Sequence, residues 1–413
     1  MSPAAGPSEP LLYRPFALLA FGATLSAGTP AGLWLLAWLY AGAPAAPQAW
    51  RLLHAEVQIL GFFATLIPGV AQHLAARFTG RPVARHPLTR PLAPLLGLAL
   101  ALRVAGTALD APVAILAGAL VHAGAFALFA CWVWRALDPP PLALLRRHLT
   151  LATAWLVLAC AVEAWARAGA GGAPDPGLLR AAHAMALLGG VLGWVTGVLL
   201  RAGPMFIPHW AVPPALAHAV APALAAGVVL TVLGEAGPWT APLGPALARL
   251  GEFAALAALG ALLAAGGAAR RARGSLPMLA RSGPESRLFR LAAASAAAAL
   301  AGAALATLGA ALGAQVHVLA DAARHLLTVG FLTTLVAAMT FRLIPVLEQR
   351  ALRWPGLRAV AFWALAVGIA LRTAEALVPF GAPWLAPWVP LSGLAVWLAL
   401  AGVALNLVGL RGR

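Results

Sequence analysis

The sequence predicts an all-α, polytopic membrane protein with about twelve transmembrane helices, forming a single integral membrane domain over residues 1–413. Apolar residues make up 62% of the 413 residues and charged residues only 10%, whereas a soluble domain carries about 25% charged residues. The mean hydropathy is +0.88. The apolar residues also fall into long runs, and a helix needs about 20 mostly apolar residues to cross the hydrocarbon core. A water-soluble fold is excluded because too little polar surface exists to cover it.

Clusters of Pro, Gly and Arg divide the chain into twelve apolar runs, and each run predicts one helix. The first run begins without a small-residue cleavage site, which predicts a retained helix instead of a signal peptide. The connections are short, so no extramembrane domain is expected. In chain order, the predicted helices cover 14–40, 49–76, 91–109, 111–134, 148–170, 178–202, 212–234, 241–268, 288–312, 314–345, 356–378 and 385–409.

The arginines orient these helices. All 28 basic residues are Arg, and the 12 acids leave a formal net charge of +16. Most arginines lie in loops after even-numbered helices, so the positive-inside rule places both termini in the cytoplasm. The loops after odd-numbered helices hold few arginines, mainly Arg51, Arg167 and Arg180. The charge therefore indicates membrane topology and a lipid bilayer as partner; no loop suits a nucleic-acid-binding module.

The ten histidines are the most informative feature of the sequence. An imidazole in lipid is costly unless it has a partner, which for any one histidine can be a neighbouring hydroxyl or carbonyl. Several histidines on helices that cross the membrane in the same direction favour a bound metal instead. Imidazole binds haem iron and copper well, whereas the few intramembrane acids disfavour calcium and magnesium. The candidates, on even-numbered helices in the outer half or near mid-depth, are His54, His122, His183, His317 and His325.

Predicted helices 2, 6 and 10 share a weak internal pattern. Each has a histidine, then an apolar stretch with glycine, then an arginine near the inner end, and the pattern begins at His54, His183 and His325. The spacing to the arginine puts His183 and His325 at similar depth, and His54 and His317 about 9–12 Å nearer the outer face. Two tiers of imidazole would suit one or two metal centres between facing helices.

Charged side chains inside the predicted helices have structural and functional interpretations. Arg324 can pair with Asp321, three residues earlier, or can hold a haem propionate through two parallel hydrogen bonds. Glu163 and Glu252 can transfer protons, and nearby intramembrane arginines are expected to snorkel or pair with them. No Ser-His-Asp arrangement or phosphate-binding loop is present, and neither Cys131 nor Cys160 belongs to a C-x-x-C-H haem-attachment motif.

Three stretches of the sequence resemble the NnrS family. Its H-A-H-E-M-L-F-G-F and T-G-R-P patterns correspond to His54-Ala55, Gly61-Phe62 and Thr79-Gly80-Arg81-Pro82. Its H-A-L-T-V-G and M-T-R stretches correspond to His325-x-x-Thr328-Val329-Gly330 and Met339-Thr340-x-Arg342. Its F-R-P-F opening corresponds to Tyr13-Arg14-Pro15-Phe16. Length and number of helices agree over the whole chain, and the specific motifs cover about a tenth of it.

The resemblance implies a bacterial inner-membrane protein that contains b-type haem and copper and belongs to the response to nitric oxide. The family is similar in outline to the heme-copper oxidase subunit I bundle, with metal-binding histidines near the outer side. On this basis we expect His54 and His325 to be haem ligands, with Arg324 on a propionate. His183, His317 and His122 are candidates for a second metal or haem. The ligand would be nitric oxide or another diatomic gas, and electrons, if used, would come from quinol or a separate protein.

The sequence departs from the expected patterns at four places. Glu56 and Val57 replace the second His and the Glu of H-A-H-E, and the H-T-G-R ending after helix 10 is missing. Helix 6 has His183 but no H-P-E-V-type copper motif, and helix 7 has no His-His pair. These departures argue against a full three-histidine copper centre and against oxygen reduction. Two other functions stay open at this stage: a secondary transporter of a small solute, and a nitric oxide reductase or terminal oxidase. A transporter usually shows a repeated half-structure, whereas the likeness here is among helices 2, 6 and 10.

Overall fold

The computed structural model of the chain describes residues 11–81, 86–169, 174–206, 210–239, 243–267, 284–314 and 316–408. Within these ranges the regular secondary structure is helical and contains no β-strand. The predicted all-α class of a polytopic membrane protein is therefore confirmed.

Twelve helices in the described ranges correspond one for one to the predicted runs. Eleven are long and apolar enough to cross a membrane, and α3 is shorter, with 17 residues or about 26 Å. The helices are Arg14–Ala41 (α1), Gln48–Thr79 (α2), Leu92–Ala108 (α3), Pro112–Ala136 (α4), Pro140–Ala168 (α5), Pro176–Pro204 (α6), Pro214–Ala236 (α7), Leu243–Ala265 (α8), Glu285–Ala311 (α9), His317–Glu348 (α10), Leu357–Phe380 (α11) and Pro383–Val408 (α12).

Local chemistry sets several helix ends. Asp175 begins α6, because its Oδ1 accepts hydrogen bonds from the backbone N–H groups of Gly177 and Leu178, at 2.8 and 3.0 Å. Gly42 and Gly80 end α1 and α2 with φ angles of 71° and 70°, a left-handed conformation that glycine adopts without a steric penalty.

In the described part of the chain, four helices contain a π-helical segment, in which the turn is wider than in an α-helix. Such segments are rare and occur frequently at functional sites. In α2, α6 and α10 the segment begins within three residues after the histidine of the shared sequence pattern. The segments are Thr24–Gly28 in α1, Val57–Ala64 in α2, Met185–Val191 in α6 and Leu326–Thr333 in α10.

The same three helices form the centre of the bundle. Among the eleven long helices, α2, α6 and α10 have the largest buried shares of their apolar windows, 78%, 72% and 56%, against 50% or less for the others. Consecutive helices pack as antiparallel neighbours, and α12 also packs against α1. Both described chain ends therefore lie at one end of the bundle, here named the proximal end; the opposite end is the distal end.

Candidate functional site

A cavity of about 550 Å³ lies in the distal half of the bundle, which is within the size range of small-molecule and cofactor sites. Residues of α1, α2, α6 and α10 form most of its wall, and α7, α8, α9, α11 and α12 contribute the rest. Three of the five candidate histidines line it: His54, His183 and His325. We name it the histidine cavity.

The His54 ring is held in one orientation by α1. Its Nδ1 lies 2.7 Å from the backbone carbonyl oxygen of Gly28, the last residue of the π-helical segment of α1. A carbonyl can only accept, so Nδ1 carries the proton and donates. Nε2 then has a free lone pair, which is the arrangement typical of a metal-binding histidine.

Gly32, one turn further along α1, packs directly on the same ring. A Cβ at position 32 would lie 2.5 Å from Cε1 and 2.8 Å from Nδ1 of His54. Glycine is therefore required there by close approach, because any larger residue would displace the imidazole.

His325, on α10, repeats the arrangement. Its Nδ1 lies 2.9 Å from the backbone carbonyl oxygen of Asp321, one turn earlier in α10. The same tautomer follows, with the Nε2 lone pair free. His183 differs: its Nε2 is buried and has no hydrogen-bond partner among the described residues. A buried imidazole nitrogen without a partner is costly, and at the cavity wall it is available to bind a ligand.

Charged side chains line the cavity toward its distal end, and most of them are paired. Arg324 Nε donates to Glu252 at 3.2 Å, and Arg372 donates to Asp321 at 2.5 Å. The sequence had suggested Asp321 as a partner for Arg324, but each residue pairs across to another helix. Arg180 similarly bonds Glu235 at 2.5 Å.

Arg51 is the exception among these arginines. Its guanidinium lies 4.4 Å from the centre of the Trp38 ring, in a cation–π contact, and it has no carboxylate partner within the described part of the chain. Arg51 and the half-exposed Arg324 are therefore the arginines best placed to bind an added carboxylate at the cavity.

The other two candidate histidines lie elsewhere. His122 is fully buried beside a cluster of charged side chains, and its Nδ1 accepts a hydrogen bond of 3.0 Å from Arg103 Nε. His317 is exposed at the distal end of α10, where that helix begins. Within the described residues, no group of three or more His, Cys, Asp or Glu side chains is arranged to hold a metal ion.

The charged cluster lies next to the histidine cavity and joins α2, α3 and α5. Arg103 donates to Glu56 at 2.7 Å and to both carboxylate oxygens of Glu163 at 2.5 and 2.8 Å. Arg167 donates to Glu163 at 2.9 Å and also to Glu56. Two arginines thus balance two carboxylates away from water, and we name these four residues the buried ion cluster.

A family model described as NnrS protein matches residues 10–409, which include all twelve helices. The chain belongs to the NnrS family. No protein of established function in the curated comparison matches it. Membership of the NnrS family suggests a role in the response to nitric oxide.

Sequence reasoning missed several residues of this NnrS-family site. The sequence places Arg51 and Arg180 on the side of the membrane where the positive-inside rule predicts few arginines. Their unusual position could have identified them as candidate site residues. Arg167, the third such arginine, belongs to the buried ion cluster. Glu56, the departure from H-A-H-E, is its partner. Gly32 could not have been found, because it is one of 42 glycines without a distinguishing motif.

Proposed function

We propose that this NnrS-family protein binds haem in the histidine cavity and thereby binds or transforms nitric oxide, or relieves its toxicity. The observation that carries the proposal is the shared state of His54 and His325, each with Nδ1 bonded to a backbone carbonyl and a free Nε2 at the cavity. Haem, when bound, would supply iron, which can bind diatomic gases.

The remaining residues of the cavity fit such a group. His54 and His325 would supply imidazole nitrogens to iron, and His183 offers a further unpartnered nitrogen. Arg324 and Arg51 would bind the propionates, since both reach the cavity with donors to spare.

Copper fits less well. A copper site needs several convergent ligands, and no three such side chains converge in the described part of the chain. We therefore confine the proposal to haem. For the cellular setting we propose the bacterial inner membrane, with the proximal end in the cytoplasm, because the arginine-rich loops follow the even-numbered helices. Electrons, if required, would come from quinol or a separate protein.

The test is the absorption spectrum and haem content of the purified full chain. We expect a Soret band, a shift of that band when nitric oxide is added, and loss of haem in His54→Ala and His325→Ala. His218→Ala, at an exposed position of α7, is the control and should keep its haem. Absence of a Soret band together with absence of iron by elemental analysis would overturn the proposal. Ion-coupled solute uptake by metal-free protein in liposomes would instead support a transporter.

A further inference from the structure

A second cavity, of about 210 Å³, lies between α1, α2, α6 and α10 in the proximal half of the bundle. Aliphatic and aromatic side chains form nearly all of its wall, among them Phe21, Val195 and Val336. We name it the apolar cavity. Its polar wall residues belong to the proximal parts of their helices: Tyr13, His73, Arg77 and Thr340.

At the proximal end of the apolar cavity, Tyr13 interacts with other side chains of the protein. Tyr13, just before α1, donates its phenolic hydrogen to Glu348, and Arg14 Nε donates to the same carboxylate at 3.0 Å. Burial, with the hydrogen bond to Glu348, raises the pKa of Tyr13 above its ordinary value, so the phenol stays protonated. The His73 ring packs edge-on against Tyr13, with 5.4 Å between ring centres. Apart from Arg77 and Thr340, the rest of the cavity wall is apolar.

An apolar wall of this kind selects its occupant. A polar or charged molecule would lose its hydration without compensating hydrogen bonds, at a cost of about 2–7 kcal/mol per polar group. A cavity of about 150 Å³ lined by apolar side chains stays dry and binds xenon or benzene. The apolar cavity also reaches the bundle surface beside Val70, which is 38% exposed within α2. Small uncharged molecules dissolved in the bilayer can therefore approach it.

One side chain among the described residues borders both cavities. Phe63 lines both the apolar cavity and the histidine cavity, and it is the one described residue that borders both. It is buried in the π-helical segment of α2, with its ring 4.9 Å from that of Phe62. Phe62 is fully buried and lines neither cavity.

We propose that the apolar cavity takes up small, uncharged, apolar molecules, including diatomic gases, from the bilayer, and that Phe63 controls their passage to the histidine cavity. Uptake depends only on the apolar wall. Passage to a reacting centre rests on the proposed function, because it requires haem in the histidine cavity. The two parts are therefore tested separately.

The uptake test uses xenon as the probe and the full chain in lipid nanodiscs. We expect the ¹²⁹Xe resonance to shift with protein concentration beyond the shift given by empty nanodiscs. Val195→Phe and Val336→Phe, which fill the cavity from α6 and α10, should each abolish that additional shift. Val229→Phe makes the same substitution at an exposed position of α7 and should leave it unchanged.

The passage test uses carbon monoxide recombination after flash photolysis of the haem-loaded protein. Phe63→Leu should speed bimolecular recombination several-fold and Phe63→Trp should slow it several-fold. Phe62→Leu, the same substitution one residue away, should leave the rate unchanged. Xenon should alter recombination in the wild type, and this effect should be lost in Val195→Phe.

Three results would overturn the inference. The first is a xenon shift that survives in both filled variants. The second is a recombination rate that is equal in both Phe63 variants and the wild type. The third is a quinone or lipid that copurifies stoichiometrically with the wild type and is lost from the filled variants, since it would be the true occupant. Absence of haem would refute the proposed function and the passage step, and the xenon result would still decide uptake.

Discussion

At the scale of single residues, His54 is fixed from two sides by one helix. The Gly28 carbonyl sets the tautomer of the ring, and the bare Cα of Gly32 lets the ring lie against α1. His325 obtains the same tautomer from its own helix, through the Asp321 carbonyl. Two histidines on different helices thus reach the same chemical state by different backbone contacts, which is what a pair of ligands held ready for a metal requires.

Gly32→Ala should therefore impair haem binding without removing any ligand. The added methyl would stand 2.5 Å from Cε1 of His54, so the ring must move away from the Gly28 carbonyl. We expect haem affinity to fall about tenfold, as for other losses of support behind a metal ligand. Haem titration followed at the Soret band measures this change.

Gly22→Ala is the matched control for this prediction. Gly22 lies on the same helix, and no atom lies within 4 Å of an added Cβ there. Its variant should bind haem as the wild type does. Equal haem affinity in Gly32→Ala and Gly22→Ala would show that contact with Gly32 does not position His54.

Part of this site was predictable from the sequence. The sequence identified His54, His183 and His325 as related, because each begins the same pattern, and the structure brings them to one cavity. It did not separate them from His122 and His317. Which histidines reach the cavity depends on which face of each helix packs against which neighbour. The sequence does not contain this information, because all five histidines lie in similar apolar runs.

At the scale of elements, the π-helical segments are stabilised by threonine hydroxyls. Thr65 Oγ1 donates to the carbonyl of Leu60 at 2.8 Å, and Thr333 Oγ1 donates to that of Thr328 at 2.9 Å. Both bonds span five residues, whereas threonine in an α-helix bonds the carbonyl four residues back. The hydroxyl thus satisfies a carbonyl where the turn is widened.

Thr65→Val should destabilise the protein by about 1 kcal/mol, the net contribution of a typical hydrogen bond. Valine keeps the shape of threonine and removes only the hydroxyl at this fully buried position. Thr65→Ser restores the donor and should recover most of the loss. Thermal unfolding in detergent measures both variants. If Thr65→Val and Thr65→Ser unfold at the same temperature, the hydroxyl does not support the π-helical segment.

Helix limits were predictable, and helix type was not. Runs of apolar residues ended by Pro, Gly and Arg placed the helix ends to within three residues, because the bilayer demands both the length and the composition. The exception is the start of α5, which lies at Pro140, eight residues before the predicted start at 148. A π-helical turn leaves the same apolar residues in the same order. Only the hydrogen-bond pattern changes, so hydropathy gives no sign of it.

At the scale of the whole molecule, charged side chains join different helices. The buried ion cluster connects α2, α3 and α5, and Arg249 of α8 pairs with Glu235 of α7 and with Glu252 of its own helix. At the proximal end, Glu348 of α10 holds Arg14 at the start of α1. In a chain with 10% charged residues, these charges sit at contacts between helices, where each has a partner. The hydrophobic pattern of the sequence could not have predicted which charged residues pair between helices, because that depends on which helices pack together.

Arg103→Met should be severely destabilising. Arg103 is fully buried, and its loss leaves Glu56 and Glu163 with only Arg167 to balance two carboxylates. Removing one partner of a buried ion pair costs about 3–5 kcal/mol, because the other charge stays desolvated and uncompensated. We expect a large fall in thermal stability or in the yield of folded protein. The exposed pair of Arg81 and Asp138 provides the contrast, and Asp138→Ala should cost less than about 1 kcal/mol.

The double variant Arg103→Met with Glu163→Met decides whether charge balance is the cause. It removes one arginine and one carboxylate together, and it leaves the direct ion pair between Arg167 and Glu56 intact. Buried ion pairs replaced by apolar residues of similar volume are often neutral in stability. The double variant should therefore be more stable than Arg103→Met alone, although it carries one more substitution. A double variant that is less stable than the single one would mean that an uncompensated Glu163 carboxylate is not what destabilises Arg103→Met.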